Sequence, residues 1–168
     1  RVCSTELQTM LDLGRLPLAN AFLDSPDQPE LYYDAVWGWC GECQLLQLEQ
    51  PPEMTAMFTQ QYPYLTGVNG TMYQHFQKTA ETLKARYLND KSRVLEIGCG
   101  DGGILQFLNG QQVLGFEPAE ACHAELVRKG IRHHQVHFMA PEGNLLRDIG
   151  KFDLVYSANT IRSLPDLD

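Results

Sequence analysis

Positive charge and long apolar runs are both scarce in this sequence of 168 residues. Its 13 Lys and Arg are outnumbered by 21 Asp and Glu, and the formal net charge of −8 disfavours nucleic acid as a partner, because phosphate binding requires clustered cations. No apolar run approaches the roughly 20 residues that span a bilayer, and the apolar stretch of a secretory signal is missing. We therefore expect a cytoplasmic protein that binds neither membranes nor nucleic acid.

The sequence also lacks internal repeats and low-complexity tracts. Its hydrophobic content of 43% is ordinary for a globular protein, and 168 residues suffice for one domain or two small ones. The first residue is Arg rather than Met, and the sequence stops in mid-pattern after Leu-Pro-Asp-Leu-Asp. We therefore expect a piece of a longer polypeptide.

The most informative segment is 94–102, where a short apolar strand runs into closely spaced glycines. Glycine has no Cβ, so Gly98, Gly100 and Gly102 permit a tight turn and let a cofactor approach the main chain. A second apolar strand ends at Glu117, about 20 residues later, where a Rossmann-type fold holds ribose hydroxyls. Each such charge-assisted hydrogen bond contributes roughly 1.5–3 kcal/mol. A glycine turn of an unrelated α/β protein is the alternative.

Helices and strands are predicted to alternate around this turn. Apolar residues spaced by three and four predict a long helix that Thr71 caps. The predicted strands are 93–98, 113–117, 131–138 and 152–157, and the other predicted helices are 104–108 and 118–129. Apolar runs of this length between helices indicate parallel strands that are buried on both faces.

Three of the five cysteines lie in the first 55 residues, which have short strand-like runs and no helical period. In a cytoplasmic protein, Cys40-Gly-Glu-Cys43 predicts a metal site rather than a disulfide, because two intervening residues bring both thiolates onto one zinc ion. Cys3 is a third candidate ligand. A pair of reduced core cysteines is the alternative; a redox pair is disfavoured because it would open a helix after a strand.

The glycine segment reads Glu96-x-Gly98-x-Gly100-x-Gly102, which resembles motif I of the class I S-adenosylmethionine (SAM) methyltransferases. It differs from the G-x-G-x-x-G of pyrophosphate-binding sites. The resemblance implies an α/β fold with a Rossmann-like parallel sheet, and SAM as the cofactor. This methyl donor is already activated, so the protein supplies orientation and, where the acceptor needs one, a base.

A longer pattern resembles the sugar C-methyltransferases, which act on nucleotide-linked keto-deoxysugars in antibiotic biosynthesis. It comprises Cys3, Leu-Gly-Arg-x-Pro-Leu-Ala-Asn at 13–20, Cys40-x-x-Cys43, Tyr62-x-Tyr64-x-Thr66, His75, the glycine segment, Gly-Phe-Glu-Pro at 115–118, and 158–167. The resemblance implies a small zinc-binding domain at 1–55, a linker loop and helix at 56–90, and a truncated SAM-binding domain at 91–168. It also implies one zinc ion held by four cysteines, the first of which would precede Arg1.

The resemblance further implies roles for individual residues. Tyr64 and His75 match the family's tyrosine and histidine and are the candidate catalytic groups, because methylation of a carbon next to a ketone requires a base. His75 alternatively has a structural place on an amphipathic helix. The candidate cofactor-binding residues are Glu96, Gly98, Gly100, Asp101, Gly102, Glu117, Pro118 and Asn159. Of these, Asp101 and Gly102 would approach the methionine end of SAM.

One position departs from the family pattern, because Ser163 stands where the sugar C-methyltransferases have a histidine proposed as catalytic. The leading hypothesis is a SAM-dependent C-methyltransferase of a nucleotide-linked keto sugar or a related small molecule. An O- or N-methyltransferase of another small metabolite is the second hypothesis, and a catalytically inactive SAM-binding scaffold is the third. His133, His134 and His137 fall on two faces of a strand, which argues against a metal site.

Overall fold

The computed structural model describes residues 3–59, 61–108, 110–138 and 147–164. The chain divides into two units, Arg1–Met57 and Phe58–Asp168. The last three residues of the family pattern at 158–167 lie outside the described residues.

The first unit contains a three-stranded antiparallel sheet. β1 (Gln8–Pro17), β2 (Tyr32–Trp39) and β3 (Leu46–Leu48) lie in that order, with β2 in the middle. β2 is built largely from aromatic and β-branched residues, which favour extended chain. β1 is irregular, because its register against β2 shifts twice, and Gly14 adopts a φ of +71° in the second shift. A four-residue helix, α1 (Met54–Met57), follows the sheet.

The second unit contains a four-stranded parallel sheet. Its central strands are β4 (Arg93–Ile97) and β5 (Gln112–Phe116), and the shorter β6 (His133–His134) and β7 (Leu154–Tyr156) lie at the edges. The strand order is β6-β5-β4-β7. All four strands run in one direction, so their carboxyl ends meet along one edge of the sheet. The predicted α/β fold class is confirmed.

The two edge strands are shorter than the sequence predicts. In 131–138, only His133 and His134 pair with β5, and in 152–157 only the residues of β7 pair with β4. The pairing of β6 stops at His134 because its partner, Phe116, is the last residue of β5.

Two helices of more than one turn belong to this unit in the described ranges. α2 (Gly70–Tyr87) begins one residue earlier than predicted, and its cap is Asn69 rather than Thr71, because the Asn69 side chain accepts hydrogen bonds from the amides of the first turn. α3 (Glu120–Arg128) ends before Gly130, whose φ is +68°. None of the helices in the described ranges is both long and apolar enough to cross a bilayer.

The predicted helix at 104–108 is wrong in type, because the structure has a 3-10 helix at Leu105–Phe107 instead. The amides of Phe107 and Leu108 bond to carbonyls three residues back, which is the tighter 3-10 pattern. Gly110 follows with a φ of +94°, and β5 begins two residues later.

Apolar side chains form separate clusters on the two faces of the parallel sheet. Val94 and Leu95 are consecutive on β4 and belong to different clusters, as the alternation of side chains along a strand requires. α2 contributes Phe76 and Ala80 to the cluster of Val94, and Phe116 lies in the other. Full burial of each large apolar side chain contributes roughly 1.5–3 kcal/mol to the stability of the fold. The two clusters therefore hold the strands, and with them the edge of the sheet where the strands end, in place.

Candidate active site and metal centre

The glycine turn after β4 has the backbone conformation that the sequence predicts. Gly98, Gly100 and Gly102 have φ values of +69°, +54° and +76°. A Cβ at Gly98 would lie 2.0 Å from Thr160 Oγ1, and a Cβ at Gly102 would lie 2.5 Å from Ile131 Cδ1. At Gly100 the nearest atom would be 3.9 Å away. Two of these glycines therefore allow close packing within the protein, whereas a Cβ at Gly100 would make only an ordinary van der Waals contact with Thr66.

Glu117 follows β5 directly and links it to the glycine turn. Its Oε2 accepts the Gly100 amide at 2.9 Å, and its Oε1 accepts the Ala119 amide, at the start of α3, at 3.0 Å. Burial raises the pKa of Glu117, and these two amides oppose the rise. A carboxylate oxygen can accept two hydrogen bonds, so each oxygen of this half-buried side chain has room for a hydroxyl. Next to Gly100, this acceptor pair fits the ribose of the predicted cofactor.

Glu96 lies beneath this turn, within β4, and is only 3% exposed. The Tyr156 hydroxyl donates to Glu96 Oε2 at 2.7 Å. Burial raises the pKa of Glu96 to about 8, although the Tyr156 hydrogen bond lowers it, and the charges of Glu117 and Asp101 add to the rise. Burial therefore favours the neutral form of Glu96, which lies in the strand that leads into the glycine turn.

Asp101 is also buried, at 3% exposure, and its carboxylate faces other parts of the second unit. It accepts hydrogen bonds from the Thr66 hydroxyl and, at 2.8 Å, from the Gly67 amide. The Lys129 ammonium group lies 3.7 Å from Asp101 Oδ2. In this arrangement the Asp101 side chain joins the glycine turn to the segment around Tyr64.

The remaining predicted cofactor residues lie on the same edge of the sheet. Pro118 is half-buried between β5 and α3. Asn159 is exposed after β7 with a φ of +64°, and the next residue, Thr160, is the one that packs on Gly98. The ends of β4, β5 and β7 therefore surround one turn.

The two candidate catalytic residues occupy different environments. The Tyr64 side chain is 54% exposed, and its main-chain carbonyl accepts a hydrogen bond from the Cys122 thiol of α3 at 3.7 Å. His75 is exposed on α2, next to Phe76, and a Cβ on Gly103 would lie 2.7 Å from the Phe76 ring. Tyr64 and His75 thus both belong to segments that contact the glycine turn or α3. No described contact joins the two side chains to each other.

The histidines of 131–138 make contacts that involve no metal. His133 Nε2 lies 2.6 Å from Nδ1 of His123 on α3, and the His134 ring lies 5.2 Å from the Phe116 ring. In the described part of the chain, these side chains belong to no group of three possible metal ligands.

The three N-terminal cysteines do form such a group. The Sγ atoms of Cys3, Cys40 and Cys43 all lie within 4.8 Å of one another. A tight turn closes the loop, because the Gln44 amide donates to the Cys40 carbonyl at 2.9 Å. Hydrogen bonds with Thr5, and further ones with Cys40 and Cys43, lower the pKa of Cys3 to about 6, which favours the thiolate form that zinc binds. Zinc prefers sulfur ligands at about 2.3 Å in a tetrahedron, and this set would fill three of its four positions.

Sequence reasoning missed four residues that hold this region together. Thr66 and Gly67 bond to Asp101, Lys129 neutralises it, and Tyr156 bonds to Glu96. Thr66 stands in the family pattern, and Lys129 immediately precedes a helix-ending glycine, but neither position reveals its partner.

Comparison with known families agrees with this geometry. A family model described as "Putative zinc binding domain" matches residues 1–58, and one described as "Methyltransferase domain" matches residues 72–168. No curated protein matches the chain. The methyltransferase match implies SAM, and the N-terminal match together with the cysteine triad supports zinc. Since the second match covers more than half of the 168 residues, the chain belongs to the family of methyltransferase domains and is a SAM-dependent methyltransferase.

Proposed function

We propose that the chain methylates a carbon atom next to a ketone in a keto-deoxysugar that is linked to a nucleotide. The sequence resemblance to sugar C-methyltransferases supports this acceptor, because it runs through both units. The observation that carries the proposal is the attachment of Tyr64, whose segment is bonded to the glycine turn and to α3. These main-chain attachments support a role for the Tyr64 phenol in the reaction, because they tie its segment to the turn that is predicted to bind the methyl donor.

The residues of the chain have distinct tasks in this reaction. When bound, SAM supplies an electrophilic methyl group. Glu117 would accept the ribose hydroxyls through the remaining lone pairs of its two oxygens, and the lack of a side chain at Gly100 would let the cofactor approach the main chain. C-methylation requires removal of a proton from the acceptor carbon by a base within hydrogen-bonding reach. Tyr64 and His75 are the candidates, and the main chain of Tyr64 is bonded to α3 through the Cys122 thiol.

One residue favours a second function, the O- or N-methylation of another small metabolite. Ser163 ends a 3-10 helix (Ile161–Ser163), which residues 157–160 separate from β7, and the sugar C-methyltransferases have a histidine at its position. A serine hydroxyl is a poor base at neutral pH, whereas an amine or hydroxyl acceptor needs less help than a carbon acid.

The decisive experiment measures exchange and methyl transfer on the same acceptors. The protein is incubated in deuterated buffer with keto-sugar nucleotides, without SAM, and deuterium at the carbon next to the ketone is followed by NMR. We expect exchange, with methylation of the same carbon once SAM is added. Tyr64→Phe should slow both steps, whereas Tyr87→Phe, an exposed control on α2, should not. Methylation only of oxygen or nitrogen acceptors, without exchange, would establish the second function.

Replacement of Glu117 by Gln is expected to weaken SAM binding by about 10- to 100-fold, which corresponds to roughly 1.5–3 kcal/mol. The amide NH2 of glutamine would face the amide of Gly100 or Ala119, and the charge that strengthens the ribose hydrogen bonds would be lost. Calorimetric titration with SAM measures the change. Glu120→Gln, an exposed control three residues later, should leave the affinity unchanged. Equal affinities for wild type and Glu117→Gln would remove Glu117 from the cofactor site.

A further inference from the structure

Asp101 fastens a distant segment of the chain to the glycine turn. Its two carboxylate oxygens accept separate hydrogen bonds, Oδ1 from the Thr66 hydroxyl and Oδ2 from the Gly67 amide. These donors are 34 and 35 residues away in sequence. The segment has a second attachment, because the Tyr64 carbonyl accepts the Cys122 thiol. Tyr64 is therefore flanked by attachments to α3 and to the glycine turn.

Lys129 offsets the free-energy cost of burying the Asp101 carboxylate. A buried carboxylate is costly unless it is paired and hydrogen-bonded. Lys129 Nζ donates to the Asp101 carbonyl at 2.5 Å and lies 3.7 Å from Oδ2, with both side chains nearly buried. The contacts of Asp101 with Thr66, Gly67 and Lys129 join segments of the chain that are distant in sequence.

Gly67 lies so close to the Asp101 carboxylate that only a residue without a side chain can occupy its position without displacing the segment. A Cβ at Gly67 would lie 2.5 Å from Asp101 Oδ2, so any side chain there would push the segment away from the turn. Gly70, three residues later, has open space around its Cβ position. We refer to Asp101, Thr66, Gly67 and Lys129 as the Asp101 clasp.

We propose that the Asp101 clasp is a positioning device that holds the Tyr64 phenol over the donor site, so that Asp101, Thr66 and Lys129 act on catalysis through Tyr64. The inference rests on the proposed role of Tyr64. A misplacement of about 1 Å in a reacting group can lower a rate by about 100-fold. Release of one clasp bond therefore lowers kcat more than it changes the KM for SAM, because Glu117 and Gly100 lie outside the clasp.

Two pairs of matched variants test the clasp in the full chain. Thr66→Val removes the hydroxyl that bonds Asp101, whereas Thr66→Ser keeps it. Gly67→Ala places a methyl group against the carboxylate, whereas Gly70→Ala meets nothing within 4 Å. The first readout is amide hydrogen exchange of 61–69 compared with β4 and β5. We expect about 10-fold faster exchange of 61–69 in Thr66→Val and Gly67→Ala, unchanged exchange in both strands, and wild-type behaviour in the two controls.

The second readout is steady-state kinetics with the acceptor that the protein methylates fastest among the keto-sugar nucleotides and the oxygen and nitrogen acceptors, whichever atom is methylated. Thr66→Val should lower kcat about 10-fold, with the KM for SAM nearly unchanged, and should have no further effect in a Tyr64→Phe background. Full kcat in Thr66→Val, equal exchange in Thr66→Val and Thr66→Ser, or additive effects with Tyr64→Phe would overturn the proposal. If no carbon is methylated, the sugar hypothesis fails, and the exchange comparison still decides whether the clasp exists.

Discussion

Replacement of Cys40 by Ser is expected to abolish zinc binding and to unfold the first unit. The described residues of this unit contain few buried apolar side chains, namely Leu18, Ala35, Cys40 and Met54. So small a core cannot offset the conformational entropy of the chain. Structural zinc contributes roughly 10–16 kcal/mol of apparent binding free energy in small domains, which exceeds anything this core can supply.

The two tryptophans make this outcome measurable. Trp37 and Trp39 both lie in β2, directly before Cys40, and they are the only tryptophans of the sequence. Cys40→Ser, or a chelator added to the wild type, should shift their emission to longer wavelength and remove the bound zinc. Helical circular dichroism should be largely retained, because α2 and α3 belong to the second unit. Cys122→Ala is the matched control and should keep full zinc content. Stoichiometric zinc and unchanged emission in Cys40→Ser would disprove the site.

Replacement of Glu96 by Gln is expected to stabilise the second unit at alkaline pH. The folded-state pKa of Glu96 is raised to about 8, mainly by burial, whereas an unfolded glutamate has a pKa of about 4.3. Between these values the folded state keeps a proton that the unfolded state releases, so stability falls as the pH rises. Above about pH 8 the full penalty of a buried charge, on the order of 5 kcal/mol, is present. Glutamine carries no charge and still offers an oxygen to the Tyr156 hydroxyl.

Urea unfolding, followed by helical circular dichroism, measures this effect. The free energy of unfolding of Glu96→Gln should exceed that of wild type by an amount that grows from about pH 5 to about pH 8 and is constant at higher pH. Glu81→Gln, an exposed control on α2, should follow the wild-type curve. A difference that does not depend on pH would show that Glu96 is ionised in the folded protein.

The sequence was sufficient to predict the central strands and the residues that follow them. β4 and β5 are short apolar runs that end in glycines and in Glu117, and in a parallel sheet such ends meet at one edge. The residues of these two strands and the glycines after them are thus sufficient to predict that the strands are parallel and that Glu117 lies beside the glycine turn. The cysteine triad was predictable for a similar reason, because the spacing of Cys40 and Cys43 defines a tight turn.

Contacts between distant segments could not be predicted in this way. The buried state of Asp101 depends on Thr66 and Gly67, which precede a whole helix and strand, and no periodicity relates these positions. The cap of α2 was missed for a subtler reason. Asn69 and Thr71 are both good capping residues. The extended backbone of Asn69, directly before the first helical residue, makes it the cap, and this conformation is not evident from the sequence.

The irregularity of β1 affects how the first unit behaves in concentrated solution. β1 is an edge strand with exposed apolar residues, Met10, Leu11 and Leu13, and a straight ladder there would invite a strand from another copy to join it. Its two register shifts leave no regular stretch longer than Arg15–Pro17. The opposite edge, β3, has just three residues. Both rims of the sheet are thereby protected from the strand-by-strand addition that produces fibrils.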